Sequence, residues 1–351
     1  MAEDFFISGI QQVGIGNPDM AETWRWYRQH FGFDVPVFEE EATAELMLPY
    51  TGGQPQKRRA TLALNMNGGG GLEIWQYTER ELIWLDEPAQ PGDYGIHTLK
   101  IKTRDLTAAK KDLLAKGLKI AGEQKAADGQ PAALFIRDLH QNLVELTEFP
   151  YWFKENGGLY GGVAGAALGV SDLERSAKFY AELLGFDKTV ARFSSDGKAW
   201  GGSGDEKFER VVLARSRAYQ GAFAPLLGPA WIELVQKHGT GKKLYENRFW
   251  GDPGFIHLCF DVSGMDALQQ RSQAMGHPFT VDSADSFDMG EAAGRFAYIE
   301  DPDGTLIEFV ETHKVPILKK FNWYLNLRKR KPGKSLPLWM IKALGFSRVK
   351  D

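Results

Sequence analysis

Apolar and polar positions along this chain alternate between a strand period and a helix period, and the alternation recurs. Ile10-Gln-Gln12-Val-Gly-Ile-Gly reads as a strand that runs into Asp19; Met20 to Phe31, holding Trp24 and Tyr27, follows as a helix and stops at Gly32-Phe-Asp34. Much later Val163-Ala-Gly165-Ala-Ala-Leu-Gly-Val-Ser-Asp172 leads into Leu173 to Tyr180 and ends at Gly185-Phe-Asp187, with aspartate, tyrosine and glycine at the same mutual spacing. Asp19 and Asp172 stand where a side chain accepts the free N–H groups of a helix start. Gly32 and Gly185 stand where a helix end takes a left-handed residue.

Each copy then turns β-rich. Ala60-Thr-Leu-Ala-Leu and Leu72-Glu73-Ile-Trp75-Gln-Tyr77 follow the first helix, and Val211-Val-Leu-Ala and Trp231-Ile-Glu233-Leu-Val235 follow the second. Two shorter units share the plan. One opens at Gly95-Ile-His97-Thr98-Leu-Lys100 and closes at Asn142-Leu-Val-Glu145; the other opens at Gly254-Phe-Ile-His257-Leu-Cys259-Phe-Asp261 and closes, after the turn Asp301-Pro-Asp-Gly304, at Glu308. The reading is an α+β chain of four βαβββ units. Residues 1–150 are expected to form one domain, 151–160 a linker, 161–312 a second domain, and 313–351 a basic C-terminal arm.

Composition narrows the class. A chain of 351 residues with 43% hydrophobic content suits two domains with real cores. The net charge of −4 argues against a general nucleic-acid binder. A single cysteine, Cys259, excludes an intrachain disulfide and fits a reducing compartment, so a soluble cytoplasmic protein is expected. The opening residues carry no signal-peptide pattern, and no apolar run approaches bilayer length. The arm holds Arg328-Lys-Arg-Lys331 among aromatics. It reads either as a helical arm packed across the acidic remainder or as a contact for a membrane or a protein.

Glu73, Glu145, Glu233 and Glu308 each sit on an otherwise apolar strand. A carboxylate there is costly unless it faces solvent or is paired, hydrogen-bonded or bound to a metal. No phosphate-binding loop follows Gly68 to Gly71, and no nucleophilic triad or paired-cysteine zinc pattern is visible.

The strand-to-aspartate openings at Gln12–Asp19, Thr98–Asp105 and Gly165–Asp172, the Tyr27…Gly32 and Tyr180…Gly185 helix ends, and the turn before Glu308 together resemble the vicinal oxygen chelate superfamily. That group includes glyoxalase I, methylmalonyl-CoA epimerase, extradiol dioxygenases, fosfomycin-resistance enzymes and bleomycin-binding proteins. The resemblance implies that two adjacent units form a cup-shaped mixed β-sheet, with ligands on the first and last strands of each unit. The first-strand positions are Gln12, Thr98, Gly165 and His257; the last-strand glutamates are Glu73, Glu145, Glu233 and Glu308. With sequential pairing it implies a metal site of Glu233, His257 and Glu308, with Glu233 and Glu308 catalytic and Glu233 the base. Gln12, Glu73 and Glu145 would form a second site. His97, one residue off, is expected on the opposite face.

One imidazole and two carboxylates suit a divalent ion such as Fe, Mn, Ni, Zn or Mg. The resemblance then implies a lyase, isomerase or epimerase that polarises a small oxygenated substrate. Two alternatives stand beside it: an iron-dependent extradiol-type dioxygenase, and a non-catalytic small-molecule-binding protein. Cys259 and Asp261 share strand parity with His257, Lys100 is a candidate for an anionic group, and Trp75, Tyr77 and Trp231 are candidate pocket walls. For each of these, ordinary packing or solvation is the competing reading.

Overall fold

The computed structural model describes residues 5–126, 129, 131–202, 204–284, 287–288, 293–318 and 323–350. The first unit comprises β1 (Phe6–Gly16), α1 (Met20–Phe31), β2 (Val35–Ala44), β3 (Gln56–Leu64) and β4 (Gly71–Tyr77). The second is β5 (Gly95–Thr103), α2 (Leu106–Ala115), β6 (Ile120–Lys125), β7 (Pro131–Arg137) and β8 (Leu143–Glu148). The third is β9 (Tyr160–Gly169), α3 (Leu173–Leu184), β10 (Lys188–Ser195), β11 (Phe208–Ala214), a short α4 (Ala224–Leu227) and β12 (Trp231–Lys237). The fourth is β13 (Gly254–Ser263), α5 (Met265–Ala274), β14 (Val281–Asp282), β15 (Phe287–Asp288), β16 (Ala293–Glu300) and β17 (Leu306–Leu318).

The helix boundaries follow the capping residues. Asp19, Asp105 and Asp172 accept from the backbone N–H of Glu22, Ala108 and Arg175 at 2.9, 2.8 and 3.0 Å. Gly32 and Gly185 end their helices at φ of 73° and 72°, a conformation that side chains with a Cβ resist. The repeated tyrosine also acquires a role. Tyr27 donates to Asp138 in the second unit at 2.8 Å, and Tyr180 donates to Asp301 in the fourth at 2.9 Å. Each hydroxyl ties a helix to the turn before the last strand of the next unit.

The pairing of units into sheets corrects the sequential expectation. Within each unit the first and last strands run parallel, which leaves the first strand one free edge. That edge of β1 pairs antiparallel with β13, and that of β5 pairs antiparallel with β9. The sheets therefore run β14-β16-β17-β13-β1-β4-β3-β2 and β10-β11-β12-β9-β5-β8-β7-β6. Units one and four make one curled sheet, here cup I, and units two and three make the other, cup II. The expected border between 1–150 and 161–312 is thus not a border between sheets. The connection from β8 to β9 spans only 149–159, and short connections favour neighbouring strands. Once β5 and β9 have paired, β1 and β13 complete the other seam.

The two sheets share a core of apolar residues drawn from all four units, including Ile7, Tyr27, Leu99, Leu168, Phe186 and Phe260. The backbones of the cups meet where the glycine run lies: Gly70 and Val163 exchange N–H···O bonds of 3.0 and 2.8 Å. A Cβ on Gly69 would stand 2.8 Å from the carbonyl carbon of Gly162, so this turn serves close backbone approach. Among its described residues the arm is not helical throughout, which departs from the helical arm expected. It begins as a continuation of β17, pairs with β18 (Trp323–Asn326), and reaches a short α6 (Leu338–Ala343) only later. The Val, Ile, Leu, Trp and Tyr content of these two strands favours extended chain.

Candidate metal centre

Strand register sets the site. Gly14 lies opposite Glu73, and Cys259 opposite Glu308, in the two parallel pairs of cup I. Two residues earlier on each first strand stand Gln12 and His257. Because β1 and β13 are neighbours, the four side chains converge on the concave face. His257 Nε2 lies 3.2 Å from Glu73 Oε2 and 3.1 Å from Glu308 Oε2. Gln12 Nε2 lies 3.3 Å from the same two oxygens. Glu73, His257 and Glu308 offer ligand atoms all within 4.8 Å of one another, and all three residues are buried.

The hydrogen bonding at this cluster is unfinished. His257 Nε2 is close to both carboxylates yet directs a hydrogen bond at neither, and Gln12 Oε1 is buried without a partner. Half a turn of the Gln12 amide would bring that oxygen to the gap, since the two ends of an amide are alike in shape. Buried donors and acceptors are ordinarily paired, so an unsatisfied imidazole nitrogen between two carboxylates, beside an amide that can turn its oxygen toward them, fits a cation held there. The imidazole carries the imprint of the acids. Burial works to lower its pKa, but Glu308 and Glu73 outweigh burial and raise it to about 9.

Neighbours hold the ring in place. Trp250 lies nearly parallel to it, with an interplanar angle of 12°, and the Tyr298 hydroxyl is 3.5 Å from Nδ1. An imidazole that ligates through one nitrogen is commonly oriented through the other. Gly14 lies directly under the ring: a Cβ there would come within 2.6 Å of Cε1. Trp75 and Tyr77 line the same face with Trp250 and Ile256. Arg58, missed in the sequence, stacks its guanidinium 4.4 Å from the Trp75 ring and donates to Glu40, while its Nε and Nη1 are buried without partners. A cavity of about 190 Å³ beside the cluster is lined by Tyr50, Arg248, Phe249, Trp250 and Ile256. Cys259 lies beside Glu308, where burial and the nearby carboxylates raise its pKa, and Asp261 accepts from Gln11 at 3.3 Å.

Glu233 is not at this site, which corrects the expected grouping with His257 and Glu308 and removes it as the base. It lies on β12 in cup II. Likewise Gln12 and Glu73 do not meet Glu145, which lies on β8 in cup II. There the ammonium of Lys100 reaches both acids, bonding Glu145 and lying 2.6 Å from Glu233. Arg210 completes the group at 2.5 Å from Glu233 and stacks over Trp200. Burial opposes the charge on Glu233, but Arg210 and Lys100 hold its pKa down to about 2. Burial raises that of Glu145, which meets one fewer cation. Lys100 thus binds side chains of its own chain rather than an outside anion.

His97 also departs from expectation. A β-bulge between Ile96 and Thr98 interrupts the alternation, so His97 does not face away. It is buried edge-on against Trp200 with Nδ1 2.8 Å from Thr98 Oγ1. Trp231 packs against Phe149 at 4.6 Å rather than standing free as a pocket wall.

A family model described as the Glyoxalase/Bleomycin resistance protein/Dioxygenase superfamily matches residues 9–146 and 162–309. A lactoylglutathione lyase from Pseudomonas putida is 26% identical over 153 residues, which is 41% of this chain and 81% of that protein. The fold is also similar to the crystal structure of glyoxalase I from Zea mays. The TM-score is 0.55 and the identity 16%, over 86% of this chain and 92% of that one, and the likeness is one of fold.

Proposed function

Given that the chain belongs to the Glyoxalase/Bleomycin resistance protein/Dioxygenase superfamily, we propose that cup I is the active site of a metal-dependent lyase or isomerase. Gln12, Glu73, His257 and Glu308 would hold one divalent ion. The observation that carries this reading is His257 Nε2, unsatisfied between two buried carboxylates, beside a Gln12 amide whose own oxygen is buried without a partner. One imidazole, one amide and two carboxylates suit a borderline or hard ion: Mn, Ni, Zn, Fe or Mg.

When bound, such an ion would act as a Lewis acid toward a substrate carbonyl and the negative charge that develops on it. The chain's own groups do the rest. Glu73 and Glu308 approach the gap from opposite strands, so either carboxylate can take a proton from a carbon and return it to its neighbour. Trp75, Trp250 and Tyr298 exclude water around them. Arg58 offers two donor nitrogens without partners, Nε and Nη1, which supports a substrate with an anionic group. The similarity to lactoylglutathione lyase makes lactoylglutathione the first compound to assay. A cytoplasmic location belongs to the same reading, supported by the lone cysteine; no helix among the described residues is long and apolar enough to cross a membrane.

Two histidines and one carboxylate, the set that suits Fe(II) oxygenases, are not what cup I offers. The test is elemental analysis of the purified protein beside His257→Ala and Glu308→Gln, with oxygen uptake followed in parallel. About one ion per chain, lost in both variants, is expected. A metal-free parent protein that still binds small molecules would favour the binding-protein alternative, and oxygen uptake would favour the dioxygenase.

A further inference from the structure

Residues 313–351 contain eleven lysines and arginines against one acidic residue, Asp351, although the whole chain is net negative at −4. This is segregation of charge rather than a basic protein. The structure shows how the segment is held. Leu336 and Ile341 are buried with Val35, Leu64, Met66 and Leu226. The Leu336 N–H donates to Ala222, the Val349 N–H donates to Asp34, and Arg348 pairs with Asp34 at 3.1 Å. One side of the arm is therefore anchored to the body.

The other side is apolar where solvent-facing residues are usually polar. Leu338 is 53% exposed, Trp339 61% and Phe346 91%. The helical run from Leu338 to Ser347 places Trp339, Lys342 and Phe346 at i, i+3 and i+7, along one outward stripe, with Ile341 turned inward. Arg328, Lys329, Lys331 and Lys334 lie in the exposed loop that leads into it.

We propose that this outward face docks on an anionic membrane surface, with Leu338, Trp339 and Phe346 at the boundary of the acyl chains and the lysines and arginines among the lipid headgroups. An apolar stripe containing tryptophan and flanked by basic residues matches the two attractions at such a surface, burial of apolar area and Coulombic attraction to acidic lipid. A nucleic acid would use the charges but gain little from Leu338 and Phe346. Docking through the arm does not depend on the metal site of cup I.

The experiment is co-sedimentation of the full chain with phosphatidylcholine vesicles, with or without about 30% phosphatidylserine, beside a Trp339→Ala/Phe346→Ala variant. Binding to the anionic vesicles at least about ten-fold stronger than to the neutral ones is expected, weakened by about 0.5 M salt. The variant should lose about ten-fold more, with unchanged circular dichroism and metal content, because both side chains are exposed. Equal binding by parent and variant would overturn the proposal, as would failure to sediment with either vesicle. Retention on a polyanion such as heparin that exceeds vesicle binding and ignores the two substitutions would also overturn it, and would assign the arm to an acidic macromolecule.

Discussion

Glu73 Oε2 lies 3.2 Å from His257 Nε2 across the seam between β1 and β13, although one residue belongs to the first unit and the other to the fourth. The contact exists because the ends of the repeat close on each other. Had the units paired in chain order, Glu233 would have faced His257. In the structure, Glu233 faces Lys100 instead.

The exchange of Glu233 for Glu73 is testable by metal content. Glu73→Gln and His257→Ala should each reduce bound metal severely, whereas Glu233→Gln should leave it near the parent value. Elemental analysis after gel filtration reads this directly; metal loss in Glu233→Gln with retention in Glu73→Gln would restore the sequential grouping.

Gly14→Ala probes the support of the imidazole without touching a ligand. The added methyl would meet Cε1 of His257 at 2.6 Å, and Trp250 and Tyr298 leave the ring little room to retreat. Metal affinity should fall about 10–100-fold, the range seen when a ligand's support is disturbed. Competition with a chromophoric chelator measures it, and far-ultraviolet circular dichroism should stay the same.

Cup II should resist removal of its lysine poorly. Lys100→Met leaves Glu145 facing Glu233 with Arg210 as the remaining cation, in a group that is almost fully buried. Breaking a buried pair from one side costs roughly 3–5 kcal/mol. Urea denaturation should show a loss of that order, with metal content in the folded protein unchanged.

His97 should make the fold sensitive to acid. Burial, opposed by Glu233 and reinforced by Arg210 and Lys100, lowers its pKa from 6.5 to about 3. The folded chain therefore keeps the ring neutral at pH values where the unfolded chain protonates it. This contribution is fully present above pH 6.5 and is lost as the pH falls toward 3, by a few kcal/mol in all. The stability difference between the parent and His97→Gln, which cannot take up that proton, should shrink across this range. A constant difference would show that His97 does not titrate in this way.

Much of the architecture is local and could be read from the chain. Asp19, Asp105 and Asp172 cap their helices as their positions require, Gly32 and Gly185 end them, and the four glutamates lie on the strands where periodicity places them. Each of these outcomes depends on a few neighbouring residues. The first-strand positions proposed here as ligands, Gln12 and His257, could be located in the same way, because strand and cap lie within one short stretch.

Which unit joins which was not legible, since every first strand offers the same free edge and no side chain on that edge names its partner. The choice rests on the length of the connection between β8 and β9 and on how all four units pack into a common core. That choice brought Gln12 and Glu73 to His257 and Glu308, and gave Glu145 and Glu233 to Lys100. The face taken by His97 was hidden for a related reason: a single bulge reverses strand parity, and its place is set by the partner strand. Local patterning thus decides which residues face a cup, while long-range strand pairing decides whether the carboxylates there meet an imidazole or an ammonium.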